Sequence, residues 1–129
     1  MRNQPEPWWE SGQSPRLYTD RVDRWELTPR ELKRLLDEEQ DVVVVDVREP
    51  WEAQLAPFEG SLHIPMGELD YRADEELDRD TEVVLVCHHG ARSMDAAVTL
   101  WSLGFERVCY LAGGIDRWAD VIDPSLTRY

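Results

Sequence analysis

Two runs of four apolar, mostly β-branched residues restrict the fold of this 129-residue chain more than anything else in it: Val42-Val43-Val44-Val45 and Val83-Val84-Leu85-Val86. A run that short and that uniformly apolar reads as a strand buried on both faces. Val42 to Val45, entered from Asp41, reads as the most clearly buried of all. Strands of this kind need cover on both sides, and the segments between them carry helical signals. Thr28-Pro29-Arg30-Glu31 is a helix start: threonine as N-cap, proline at the first helical position, glutamate three residues after the cap. Leu32, Leu35 and Leu36 give that helix a buried side. From Met94 onward the period is again helical, with Ala96, Ala97, Leu100, Trp101 and Leu103 along one side and Gly104 as the stop. Ile115 to Val121 is a last helix with Trp118 inward, ended by Asp123-Pro124-Ser125. Shorter strands are expected at Trp25-Glu26-Leu27, Leu62-His63-Ile64 and Arg107 to Leu111, and Met66 to Leu77 reads as a short helix and a surface loop. Strands thus alternate with helices from 25 to 121, which implies an α/β fold with a central parallel sheet and helices on both faces.

The length fits one domain. Residues 1–22 read as an extension and 23–129 as the domain, because Pro5, Pro7 and Pro15 break regular structure at the start of the chain. That extension nevertheless carries Trp8, Trp9, Leu17 and Tyr18. Such side chains cover an apolar patch on the domain, or meet a partner or a second copy; packing within the chain is the preferred reading.

The second apolar run leads straight into Cys87-His88-His89-Gly90-Ala91-Arg92-Ser93. Cys87 therefore sits where a parallel strand ends and a tight loop enters a helix N-terminus. Helix-start N–H groups lack intrahelical acceptors, and that end of a helix is partially positive. Successive loop N–H groups converge into an anion-binding nest. Gly90 permits a backbone turn that a Cβ would resist, and Arg92 adds a permanent cation with several donors. The stretch reads as a thiolate above a bowl of donors. The competing reading is a core cysteine at a strand end.

These residues resemble the active-site loop of the rhodanese-type sulfurtransferases, and three further stretches agree. Val44-Val45-Asp46-Val47-Arg48-Glu49-Pro50-Trp51-Glu52 is similar to that family's aspartate-containing strand end and following helix. Gly60-Ser61-Leu62-His63-Ile64-Pro65 is similar to its glycine–proline segment, and Tyr110-Leu111-Ala112-Gly113-Gly114-Ile115-Asp116-Arg117-Trp118 to its closing strand, double glycine and last helix. The stretch Ala56-Pro57-Phe58-Glu59 lacks a histidine that the family pattern would place ahead of Gly60, which bears on hydrogen bonding in that loop. The resemblance covers about residues 25 to 129 and implies a single rhodanese-like domain with a five-stranded sheet.

It also implies a reaction: Cys87 takes the outer sulfur of thiosulfate or a similar donor as a persulfide and passes it to cyanide or a thiol. The loop residues His88, His89, Gly90, Ala91, Arg92 and Ser93 would surround that sulfur, their N–H groups stabilising its charge, with Arg92 locking the loop and adding positive potential. His88 and His89 bind an anionic donor, best when protonated, or simply shape access. Asp46, at a strand end on the same side as Cys87, supports the loop, pairs with an arginine, or serves as a turn residue before the helix at Pro50. Arg48 and Glu49 read as a structural pair or as solvated charges, His63 as structural, and Cys109 as a core or near-surface structural thiol, with resolution of the persulfide as its less favoured alternative. No cofactor and no metal site is expected.

Two alternatives stand beside this. One is a persulfide carrier in a protein sulfur relay. The other is a Cys-based phosphatase or arsenate reductase, which places five residues between Cys and Arg where this loop has four: His88, His89, Gly90 and Ala91. Charge narrows the partners. With 27 acidic against 14 basic side chains and a net charge of −13, the surface repels phosphate backbones, so nucleic acid is excluded. No apolar run approaches a bilayer span and the start of the chain has no signal-peptide core, so neither a membrane nor export is expected. Two cysteines make no disulfide framework, and a cytoplasmic setting follows. The expected partners are a small sulfur-containing anion such as thiosulfate and a thiol or protein sulfur acceptor.

Overall fold

The structure, a computed structural model, describes residues 26–39 and 41–129; the tryptophan-bearing extension and Trp25 lie outside the described residues. Strand β1 (Glu26–Leu27) is followed by α1 (Pro29–Asp37), β2 (Val42–Asp46), α2 (Pro50–Leu55) and β3 (Leu62–His63). A 3-10 turn (Met66–Glu68) runs into α3 (Leu69–Glu76), then β4 (Glu82–Val86), α4 (Ala91–Ser102), β5 (Val108–Leu111) and α5 (Gly114–Val121). The strands form one five-stranded parallel sheet in the order β1-β5-β4-β2-β3.

Local chemistry explains the elements. Thr28 caps α1 through a reciprocal box: its hydroxyl accepts from the Glu31 N–H at 3.2 Å and the Glu31 carboxylate accepts from the Thr28 N–H at 2.9 Å. Leu32 and Leu35 are buried as expected, whereas Leu36 is 38% exposed. Pro29, Leu32 and Leu35 recur at three-residue spacing on the inner face, and Leu36 falls one residue beside that stripe. The most buried strand is β4, buried at every position, rather than β2, whose Val42 and Val43 are half-buried. The reason is position: β4 lies in the middle of the sheet.

Alternation along β4 divides the core into two layers. Val84 and Val86 point to one face with Leu32, Leu35, Cys109, Ile115 and Trp118. Val83, Leu85 and Cys87 point to the other with Leu69, Ala73, Ala96, Ala97 and Leu100. Each of these large aliphatic side chains contributes about 1.5–3 kcal/mol on burial. The pleat therefore puts the two cysteines on opposite faces of the sheet. Asp46 of β2 pairs in register with Val86 of β4, so the two strands end level and Cys87 emerges beside Asp46. Among the described residues no helix is long and apolar enough to cross a membrane.

Candidate active site

Cys87 follows the last residue of β4 and is 1% exposed. Gly90 turns the loop at φ 109° and ψ −23°, a conformation that side-chain-bearing residues resist, and acts as the N-cap of α4. The helix thus begins at Ala91, three residues earlier than its apolar period indicates, and Arg92 and Ser93 belong to its first turn. Two amides consequently aim at the thiol: Sγ of Cys87 accepts from the Gly90 N–H at 3.0 Å and the Ser93 N–H at 3.3 Å. The Ala91 and Arg92 N–H groups precede the first intrahelical bond, which runs from Met94 to the Gly90 carbonyl at 3.0 Å. The Ser93 hydroxyl is buried with no hydrogen-bond partner among the described residues, a state that is costly unless a ligand atom accepts from it.

A second helix end holds the other side of the loop. The Cys87 and His88 carbonyls accept from the Ile115 and Asp116 N–H groups of α5 at 2.7 and 3.0 Å. That approach needs Gly114, which has φ 67° and where a Cβ would run into both carbonyls. Gly114→Ala is expected to lose about 1–2 kcal/mol from backbone conformation alone, and more from the collision, with loss of the loop geometry. Chemical denaturation measures this; a variant as stable as the wild type would contradict the packing described.

Arg92 is held in a clamp. Its guanidinium donates to both oxygens of Glu52, on α2, at 2.7 and 2.8 Å. Glu52 is buried, and the Arg92 bonds hold its pKa down at about 2 against the opposing effect of burial. The positive potential expected of Arg92 is offset by this partner. A carboxylate with a depressed pKa contributes stability above its unfolded value of 4.5 and loses it as pH falls through its folded value. Glu52→Gln should therefore cost about 1–2 kcal/mol at pH 7, discounted because Arg92 is partly exposed. The gap between variant and wild type should close between pH 4.5 and about pH 2. A pH-independent gap in denaturant unfolding would refute the clamp.

Among the described residues the Asp46 carboxylate makes no hydrogen bond to the loop. It accepts from Arg48 Nε at 3.0 Å, from Nη2 at 2.8 Å and from the Arg48 backbone N–H at 3.0 Å. The helix N-cap before Pro50 is Glu49, not Asp46. Arg48 is 0% exposed and pairs with Asp46 rather than with Glu49. Burial works against the Arg48 charge, and its bonds to Asp46 and Tyr129 more than offset this, so its pKa is raised. Its Nη2 also donates to the Ala56 carbonyl at 2.7 Å. The histidine serving this region is His63, whose Nε2 lies 2.8 Å from the Arg48 carbonyl oxygen. Cys109 is buried on the opposite face from Cys87.

At the mouth, the His88 ring stacks between His89 (centroids 4.0 Å apart) and Tyr129 (4.1 Å). Burial, then the neighbouring His89, lowers the His88 pKa, with Asp116 opposing. His89 is exposed. His88, His89 and Asp116 bring ligand atoms within 4.8 Å of one another, the one such grouping among the described residues. Arg128 already holds Asp116 Oδ1 at 2.6 Å, which disfavours a cation there. Glu52 and Tyr129 are the members of this site that the sequence reading did not single out.

A family model described as the rhodanese-like domain matches residues 28–121. The putative sulfur carrier protein YrkF of Bacillus subtilis is 36% identical over 93 residues, covering 72% of this chain and 50% of its own length. This chain therefore spans about half of that relative. The thiosulfate sulfurtransferase GlpE of Pseudomonas fluorescens is 40% identical over 82 residues, covering 62% of this chain and 72% of its own. A rhodanese-related protein of Thermoplasma volcanium has the same fold, with a TM-score of 0.66 and 30% identity over 74% of this chain and 90% of its own.

Proposed function

The chain belongs to the rhodanese-like domain family, and on that premise we propose that it transfers sulfane sulfur through a persulfide on Cys87. The observation that carries this reading is the pair of N–H groups, from Gly90 and Ser93, pointing at Cys87 Sγ. Donors so placed stabilise negative charge on sulfur, as an oxyanion hole does on oxygen.

The Cys87 thiolate attacks the outer sulfur of thiosulfate. The S–S bond of the donor breaks, and sulfite leaves with its electron pair. The enzyme holds the sulfur as Cys87–S–S⁻. The remaining helix-start N–H groups of Ala91 and Arg92, and the Ser93 hydroxyl, are the donors left to receive the added atom. Cyanide or a thiolate then attacks that outer sulfur, and thiocyanate or a new persulfide leaves as the Cys87 thiolate returns. His88 and His89 shape the approach of the anionic donor. Residues 23–129 are the unit we assign to this chemistry, in a cytoplasmic, thiol-reducing setting.

A sulfur-relay role, with a protein thiol as acceptor, is favoured by the likeness to a named sulfur carrier. The phosphatase reading is disfavoured: four residues separate Cys87 from Arg92, and the Arg92 guanidinium is taken up by Glu52 instead of being offered to an oxyanion. Thiocyanate formation from thiosulfate and cyanide tests the transferase reading. Rapid transfer to small or protein thiols with slow cyanide turnover would select the relay. Failure to pass sulfur to any acceptor would overturn both.

A further inference from the structure

Tyr129 bonds both Arg48 and Glu52 and stacks on His88. Its hydroxyl accepts from Arg48 Nη1 at 3.0 Å and donates to Glu52 Oε1 at 3.0 Å. It thereby joins the buried Asp46–Arg48 pair to the Glu52–Arg92 clamp, and both of its bonds are charge-assisted. Its ring lies nearly parallel to His88, at an interplanar angle of 19°, while Trp51 meets it edge-on at 5.6 Å. The backbone carbonyl of His88 is itself pinned by the Asp116 N–H. His88 is therefore fixed at both ends, its main chain by α5 and its ring by Tyr129.

We propose that Tyr129 is a positioning residue for sulfur transfer, holding the His88 imidazole in one orientation at the mouth of the Cys87 loop and tying that mouth to the Glu52–Arg92 clamp. The functional half of this rests on the sulfurtransferase reading above; the structural half does not. The N–H groups at Cys87 Sγ come from Gly90 and Ser93 and donate to the sulfur, not to Tyr129, so the chemistry at sulfur does not depend on it. What depends on it is the wall past which an anionic donor enters. A donor meeting a pre-ordered ring does not have to order it on binding, so the cost of losing Tyr129 falls on KM.

The test compares Tyr129→Phe and Tyr129→Leu in the full chain, using NMR of the His88 ring, assigned with His88→Gln, and steady-state kinetics with thiosulfate and cyanide. In the wild type the His88 ring protons should lie upfield, shielded by the flanking rings. Phenylalanine keeps the stack and that shift. Leucine abolishes the Tyr129 contribution, and the His88 titration moves up toward its ordinary value as burial is relieved. KM for thiosulfate should rise about tenfold in Tyr129→Leu and about threefold in Tyr129→Phe, with kcat within about twofold in both, the scale expected of lost positioning. His88 signals unchanged in Tyr129→Leu would overturn the proposal whatever the kinetics. So would moved signals with unchanged KM, or a fall in kcat at constant KM. A wild type that turns over no sulfur would instead sink the sulfurtransferase reading and the positioning role with it, even if the His88 signals moved as expected.

Discussion

Cys87→Ser is expected to reduce sulfur transfer from thiosulfate to cyanide by on the order of 10⁴-fold or more, to background, as loss of a covalent nucleophile does. Serine keeps the size of the side chain, and its oxygen still accepts from the Gly90 and Ser93 N–H groups that hold Sγ at 3.0 and 3.3 Å. What is lost is the nucleophile, since a hydroxyl does not ionise near neutral pH. The circular dichroism spectrum should stay native. Cys109→Ser is the internal control. Cys109 pairs in register with Val84 and faces the α1/α5 layer, while Cys87 faces α3 and α4, so the two sulfurs lie across the sheet from each other. Residual turnover of a folded Cys87→Ser protein would contradict the assignment.

The largest stability effect is expected at Asp46. Asp46→Ala leaves the fully buried Arg48 guanidinium with, among the described residues, the Ala56 carbonyl and the Tyr129 hydroxyl as its hydrogen-bond partners. Removing one member of a buried ion pair costs about 3–5 kcal/mol, because the remaining charge stays desolvated without compensation. Against a total stability of about 5–15 kcal/mol for a domain, that is enough to threaten folding. Asp46→Asn should cost less, since an amide oxygen still accepts from Arg48. Urea unfolding measures both, and an alanine variant within 1 kcal/mol of the wild type on the scale of typical surface substitutions would show that Arg48 finds other partners or water. A chain of side-chain bonds runs from Asp46 through Arg48, Tyr129 and Glu52 to Arg92.

What the sequence makes legible here is what lies close along the chain. The uniform apolar runs, the Thr28–Glu31 box and the glycine-containing turn after Cys87 are local patterns, and each appears in the structure where its residues indicate. The start of α4 is local too, yet it is displaced: Ala91, Arg92 and Ser93 are helical because Gly90 turns the chain into the helix, and no apolar period marks those three residues. That Asp46 pairs with an arginine is among the readings its residues allow, but Arg48 as that arginine is masked by a nearer carboxylate, Glu49, which takes part in the α2 cap instead. Leu36 reads as core because leucine at that spacing usually is. The partners of Arg92 and His88 are beyond any pattern of spacing. Glu52 lies 40 residues before Arg92, and Tyr129 lies 77 residues after Glu52; folding alone brings them together. Tyr129 follows Arg128 past the end of α5, where nothing in the residues themselves marks an aromatic as part of a site.

Persulfide formation on Cys87 is tested most directly by where sulfur is carried. The direct measurement is the mass of the intact protein before and after incubation with thiosulfate, followed by tryptic mapping. Cleavage after arginine separates the two cysteines, Cys87 in the peptide 80–92 and Cys109 in the peptide 108–117. The expected result is a gain of one sulfur atom, located on peptide 80–92 and removed by cyanide. No gain in mass, or a sulfur atom on peptide 108–117, would contradict it.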